Sequence, residues 1–302
     1  MALLFSKEII MAVEKELASA RKSVQIISAY CKLDSIKKLA RHIDSSVDDK
    51  RLMVRFRLSD IVAGSTDFDI LDYCLCNGWK VYIRFDLHIK TYIVDDKRGI
   101  VGSANATRSG LTNPINGNQE LAVLVSLEEH DQIRISKLFD EAIPVDDVLL
   151  NKLRQQIEDN KSLEKPKHLQ WGKDILDLFN PKVDTLFSHE LPAREKYLSG
   201  EYIDFLDETF DGDLEKIAAK FRWSNAYLWL KTTISENGNE MYFGALSAAL
   251  HSALVEDPKP YRKDVKILLA NMLSLIERWG TDEFIIDRPN YSQRVRLVSK
   301  AQ

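Results

Sequence analysis

The sequence predicts an α/β N-terminal domain followed by a mostly α C-terminal one, and three observations predict it. Between residues 7 and 158, segments of helical period alternate with short apolar segments of strand period. One of those strands runs through a polar turn straight into another. Beyond residue 168 the period is helical almost throughout.

The elements follow in order. Residues 7–20 place Ile9, Ile10, Val13 and Leu17 on one face of an amphipathic helix. Residues 23–28 form a strand, 33–43 a helix, and 52–58 a second strand. Residues 67–76 make a short helix stopped by Asn77-Gly78, and 80–85 a third strand. Helices between strands require crossovers, so this part of the sheet is expected to be largely parallel.

From His88 the pattern alternates: Ile89, Thr91 and Ile93 point one way, His88, Lys90 and Tyr92 the other, which reads as a strand with a polar face. Asp95-Asp96-Lys97-Arg98-Gly99 is a hairpin turn, returning through 99–102. Residues 119–126 are the next strand with Glu120 at its start, within reach of the His88 ring if that strand lies beside the His88 strand, and 128–142 and 146–158 close the domain as helices. The charged stretch 160–168, with Pro166, marks the boundary, giving domains 1–160 and 161–302.

In the second domain, helices over 214–220 and 225–234 flank Phe221-Arg222-Trp223-Ser224, where Ser224 is a good N-cap. The pair has the size of a helix-turn-helix. Its second helix, however, carries a single basic residue, Lys231, and two large aromatics, Tyr227 and Trp229, which favours a plain packed pair. Residues 241–255 and 264–279 read as a helical hairpin around Pro258 and Pro260, with His251 as an ordinary core or surface histidine. The tail over 284–298, with Arg294 and Arg296, fits either a terminal strand or an extended segment contacting a partner.

Composition narrows the function. With 302 residues, 45% hydrophobic and 29% charged, the chain is long enough for two domains and ordinary for a soluble one. Its first residues are apolar too briefly for a secretory signal or membrane span, so the expected location is cytoplasmic. Cys31, Cys74 and Cys76, without metal spacing, are expected to be free buried thiols. Residues 1–160 carry 22 basic against 24 acidic side chains and 161–302 carry 20 against 22, so neither half is a basic body. Local patches remain available to phosphates: Lys50-Arg51 with Arg55 and Arg57, or Arg84 near Lys90.

The chemistry concentrates in one constellation. Two positions apart on one strand face, His88 and Lys90 can both reach a single small anion. The hairpin brings Ser103 and Asn105 alongside them, and Gly102 is expected to leave room for a ligand to approach the backbone. An imidazole, an ammonium, a hydroxyl and a carboxamide, with no metal-ligand cluster, are groups for holding and attacking a phosphate.

His88-x-Lys90-x4-Asp95, followed by Gly102-Ser103-x-Asn105 and by Asn118-x-Glu120, resembles the phospholipase D superfamily, with every fixed position filled. The resemblance covers the N-terminal half and implies a mixed sheet flanked by helices. It also implies His88 as nucleophile through a phosphohistidine, Lys90 and Asn105 as phosphate clamps, Ser103 as auxiliary donor, and Glu120 as orienter of His88. Asp95, at the far end of the strand, and Gly102 are assigned structural roles. No cofactor or metal is implied.

None of the other histidines, His42, His130, His168, His189 or His251, is followed two residues later by lysine. A phosphohistidine mechanism needs a general acid for the leaving oxygen. The chain is therefore similar to the single-motif nuclease branch, which implies a homodimer sharing one active site across its two-fold axis. On this reading it is a metal-independent nuclease, on DNA sooner than RNA and not at a membrane. The helical half then supplies DNA, dimer or partner contacts. Restriction or antiviral defence is a natural setting, and an ATPase or translocase a conceivable protein partner. A phospholipid phosphodiesterase or transferase, and an interaction protein that only binds phosphate, are the alternatives.

Overall fold

Six consecutive buried residues, Ser23–Ser28, form β2, because this strand is covered on both faces and paired on both edges. In the computed structural model, which describes residues 3–112, 117–161, 171–176, 178–280 and 283–298, β2 is central to an eight-stranded mixed sheet. The chain divides into two units, Met1–Asn180 and Pro181–Gln302.

In the first unit, β1 (Leu3–Phe5), α1 (Lys7–Ser19), β2, α2 (Leu33–Ala40), β3 (Asp49–Arg55), α3 (Leu58–Val62), α4 (Ile70–Cys76) and β4 (Trp79–Arg84) come first. The hairpin β5 (Lys90–Val94) and β6 (Arg98–Gly102) follows, then β7 (Leu121–Ser126), α5 (Glu129–Asp140), β8 (Ile143–Pro144), α6 (Asp147–Lys161) and α7 (Lys173–Leu176). The order across the sheet is β1-β7-β6-β5-β2-β3-β4-β8. Only β2 with β3 and β3 with β4 are parallel; every other pairing is antiparallel.

One face of the sheet packs Val24, Ile26, Leu52, Val54, Val81 and Tyr92 against Ile9, Val13 and Leu17 of α1 and the residues around α2 and α4. The opposite face packs Ile27, Met53 and Ile93 against Phe139 of α5. Both sides of β5 are therefore closed: Tyr92 and Ile93 are each buried. The polar face expected of this strand is confined to its start, with His88 and Ile89 in the irregular chain before it.

Several elements depart from the sequence expectation for physical reasons. β7 lies beside β6 and not beside β5, because the return strand of the hairpin takes the place next to β5. β3 begins at Asp49, three residues earlier than its apolar run, because Lys50 and Arg51 pair in register with Val24 and Gln25, with the Arg51 guanidinium 5.7 Å from the Phe139 ring centroid. It ends at Arg55, and Leu58 starts α3 instead.

The first unit also extends past residue 160. Trp171 stacks on Phe56 at 6.0 Å and donates to the Phe56 carbonyl, while Phe179 meets Phe85 edge-on at 5.3 Å. Most of the expected linker, residues 162–168, lies outside the described residues. Of the three thiols, Cys31 and Cys74 are buried and Cys76 is exposed at the end of α4. Burial pushes the Cys31 thiol up to about 12, with the Asp67 charge adding to a rise that its Ser28 contact opposes.

The second unit begins with a two-stranded ribbon, β9 (Tyr202–Ile203) and β10 (Glu208–Thr209). Helices α8 (Leu214–Arg222), α9 (Asn225–Glu236), α10 (Phe243–Ala253) and α11 (Arg262–Trp279) follow, with β11 (Glu240–Tyr242), β12 (Phe284–Asp287) and β13 (Arg294–Leu297) completing it. Ser224 caps α9 through the Tyr227 N–H at 3.3 Å. Tyr227 and Trp229 are buried with Phe221 and Trp279 in the core, as a packed helix pair requires. The tail is a hairpin strand in a β11-β13-β12 sheet, and Asp287 occupies both Arg294 and Arg296 at 2.9 Å. No helix among the described residues is long and apolar enough to cross a membrane.

Candidate active site

Three chain segments meet where β2, β5 and β6 end: 28–31, 88–90 and 103–106. Their backbones are tied together. Ala29 N–H donates to Ile89 O at 3.1 Å, Lys32 N–H to Ala106 O at 3.0 Å, and Ala106 N–H to the Ser28 hydroxyl at 2.9 Å. Tyr92, held in the core, reaches up to donate to the Ala104 carbonyl at 2.9 Å. Buried polar bonds of this kind fix the loop that carries Asn105 against the strand that carries Lys90.

His88 is exposed, and its imidazole has no hydrogen-bond or ion-pair partner among the described residues. Buried Leu87 anchors it from one side and the Ile89 carbonyl from the other. Lys90 opens β5 opposite Ser28, and its Nζ donates to the His88 carbonyl at 2.7 Å. Partial burial holds the Lys90 ammonium below the usual lysine range, the Arg55 charge pushes the same way, and the Glu120 carboxylate partly offsets both. Lys90, Arg55 and Glu120 thus share one electrostatic neighbourhood.

Asn105 has a fixed orientation. The Tyr30 backbone N–H can only donate, and it donates to Oδ1 at 3.1 Å, with the Ser28 hydroxyl 3.4 Å away. The Nδ2 group is left as a free donor among the described residues. Such an oriented N–H₂ suits a phosphoryl oxygen.

Ser103 and Glu120 are brought together, though not onto His88. The Ser103 hydroxyl gives its proton to the Glu120 carboxylate and accepts from Leu121 N–H at 3.1 Å. Asn118 Nδ2 donates to the other Glu120 oxygen at 3.3 Å. Glu120 is only 8% exposed and makes no bond to His88, because β6 stands between its strand and β5 and Ser103 already meets it. With its single proton engaged there, Ser103 supports Glu120 in this conformation instead of donating to a phosphate.

Asp95 lies at the opposite end of β5, with φ 54° in the turn. Its carboxylate accepts from the backbone N–H groups of Arg21 at 3.0 Å, Lys22 at 2.7 Å and Ser23 at 3.1 Å, clasping the start of β2. Gly102 is also placed by packing. A Cβ there would strike the Leu121 carbonyl and the Ala122 side chain, so the close approach it allows is that of β7 and not of a ligand.

Sequence reasoning missed the support behind this cluster. Arg55 makes a bidentate pair with Asp60 at 2.8 and 3.0 Å, donates to the Tyr30 hydroxyl, and lies 4.6 Å from the Tyr30 ring centroid. Of the basic patches singled out from sequence, Arg55 reaches the site. Arg84 does not: it is buried on Asp86 at 2.9 Å and Glu141 at 3.4 Å. A weak signal existed for Arg55, an arginine ending an apolar strand with an aspartate five residues later. Nothing in the sequence joined it to Tyr30. Among the described residues, no group of three or more His, Cys, Asp or Glu side chains is placed to hold a metal.

Comparison with known proteins gives the class. Residues 13–142 match the family model described as cardiolipin synthase, PLD-like domain, and this N-terminal part of the chain is a phospholipase D-like domain. Among solved structures, Nuc from Salmonella typhimurium, a phospholipase D family member, matches at 18% identity over 48% of this chain and 96% of that one, with a TM-score of 0.38. NucT from Helicobacter pylori matches at 16% over 48% and 98%, TM-score 0.36. Phosphatidylserine synthase from Haemophilus influenzae matches at 12% over 53% and 46%, TM-score 0.38. No curated protein matches the chain.

Proposed function

We propose that the chain is a metal-independent phosphodiesterase, a homodimeric DNA nuclease that works through a phosphohistidine on His88. The observation that carries the reading is the exposed His88, whose imidazole has no partner among the described residues and whose carbonyl takes the Lys90 ammonium, at the same strand ends as Asn105, whose Nδ2 has no acceptor among those residues. In the first step an imidazole nitrogen forms a bond to phosphorus and the bond to the leaving oxygen breaks. His88 of a second copy gives that oxygen its proton, because no other histidine of this chain belongs to an H-x-K pair. Water then attacks phosphorus, its proton passes back to the second imidazole, and the P–N bond breaks to release a phosphomonoester. Lys90 and Asn105 offset charge on the phosphoryl oxygens in both steps.

The test is cleavage of an internally labelled oligonucleotide in excess chelator, with rapid denaturation to trap an acid-labile, alkali-stable phosphoryl group on the protein. His88→Ala is expected to lose the adduct and at least about 10³-fold in rate, the scale seen when a nucleophile is removed. Strict dependence on Mg²⁺, or equal cleavage by wild type and His88→Ala, overturns the mechanism. Headgroup release from phospholipid vesicles without any oligonucleotide cleavage assigns the site to a lipid instead.

A further inference from the structure

Beside Asn105 the surface opens into a cleft of about 890 Å³, walled by Tyr30 and Lys32 after β2, Lys37 on α2, Arg108 and the two asparagines Asn105 and Asn118. Its volume is that of a pocket for a drug-sized molecule, room for one nucleotide and not for a duplex. Two carboxylates and three cations line it, and the way they pair decides what it can hold. Asp67 is committed to the fold: it takes Lys32 Nζ at 2.7 Å and the Leu33 N–H at 2.9 Å. Asp34 pairs with Arg108, but both side chains are exposed, 46% and 75%, so water and salt already compete for that pair. Lys37 lies 5.3 Å from the Tyr73 ring centroid and has no carboxylate partner among the described residues.

We infer that this cleft seats one unpaired nucleotide next to the scissile phosphate, with the neighbouring phosphate held by Lys37 and by Arg108 released from Asp34. The inference rests on the phosphodiesterase reading and names its substrate more closely. Asn105 joins the two places, since it serves the phosphoryl site and lines the cleft, so a strand bound at one continues into the other. The walls supply charge and hydrogen-bond groups to a sugar, a base edge and a second phosphate. Leu33 is the one Leu, Ile, Val or Met of its lining, against three cations and two carboxylates, and that charge disfavours a lipid tail. A space of one nucleotide's size takes a base only once that base has left its stack, so single strands are favoured over duplex.

The experiment measures binding of a fluorescent oligothymidylate to the His88→Ala protein, with and without Lys37→Ala plus Arg108→Ala. The double change is expected to raise Kd at least tenfold. It should also flatten the slope of log affinity against log salt by about 1.4, two contacts at roughly 0.7 each for a single strand. Circular dichroism melting checks that the variants fold. A Kd within twofold of the parent, an equal loss on duplex of the same sequence, or competition by glycerophosphoserine as strong as by a dinucleotide overturns the inference. Hydrolysis of bis(p-nitrophenyl) phosphate by the wild-type chain is followed separately. Its absence removes the phosphodiesterase reading, whereas an unchanged Kd beside intact hydrolysis removes only the nucleotide cleft.

Discussion

The Lys90 ammonium sits among competing neighbours, and its protonation sets how the site should respond to pH. Only the charged form offsets a phosphate. Burial and Arg55 both lower its proton affinity against a smaller opposing pull from Glu120. The alkaline fall in kcat/KM should therefore appear below the ordinary lysine value of about 10.4. Lys90→Arg, which stays charged, should remove that fall from the accessible range while costing rate through altered geometry. A pH–rate profile of the two proteins checks it. Asp95 titrates with the opposite consequence. Burial opposes its ionisation, but the N–H groups of Arg21, Lys22 and Ser23 prevail and hold its carboxyl below the usual range. A depressed folded pKa means stability that is fully present above the unfolded value of about 3.9 and lost as pH falls through the folded one. Chemical denaturation of wild type and Asp95→Asn should show a gap at neutral pH that narrows under acid. A gap independent of pH would place the contribution of Asp95 elsewhere.

Elements set the next constraints. The strand pairings β5 with β6 and β6 with β7 carry the site, and at Gly102 β7 leaves no room for a Cβ on β6. Gly102→Ala drives a methyl into the backbone of Leu121, so it should destabilise the protein by about 1–3 kcal/mol, as overpacking does. Thermal melting measures this directly, and activity should fall with it because Ser103 and Glu120 straddle the same seam. Most strands and helices of the first unit were legible from period alone. The start of β3 is not legible this way because its first residues are charged, yet they pair in register with β2, with Arg51 held by Asp49 two residues back and lying over the distant Phe139 ring. The segment 171–179 was likewise assigned to the helical half, although Trp171 and Phe179 pack on Phe56 and Phe85, far away in sequence.

On the scale of the whole molecule, the proposed chemistry makes activity a property of two chains. Specific activity should rise with protein concentration up to a plateau, and sedimentation should place the dimer in the same range. Adding excess His88→Ala protein to wild type should depress activity by forming mixed pairs with one imidazole. A fully active monomer at nanomolar concentration contradicts this arrangement.

What the sequence determined by itself is the local frame of the candidate site. The spacing of His88, Lys90, Asp95, Ser103 and Asn105 follows from strand and turn geometry, which are short-range, and each lies near the strand ends or turn that this spacing implies. Only the tertiary structure decided which of those groups touch. It inserted β6 between Glu120 and His88, gave Glu120 to Ser103 and Asn118, and turned Asn105 by means of Tyr30. It also brought the Arg55 charge to bear on Lys90 and opened a cleft beside Asn105. Strand order and long-range hydrogen bonds arise from how distant segments bury their apolar faces together, and that competition leaves no periodic trace in any one segment.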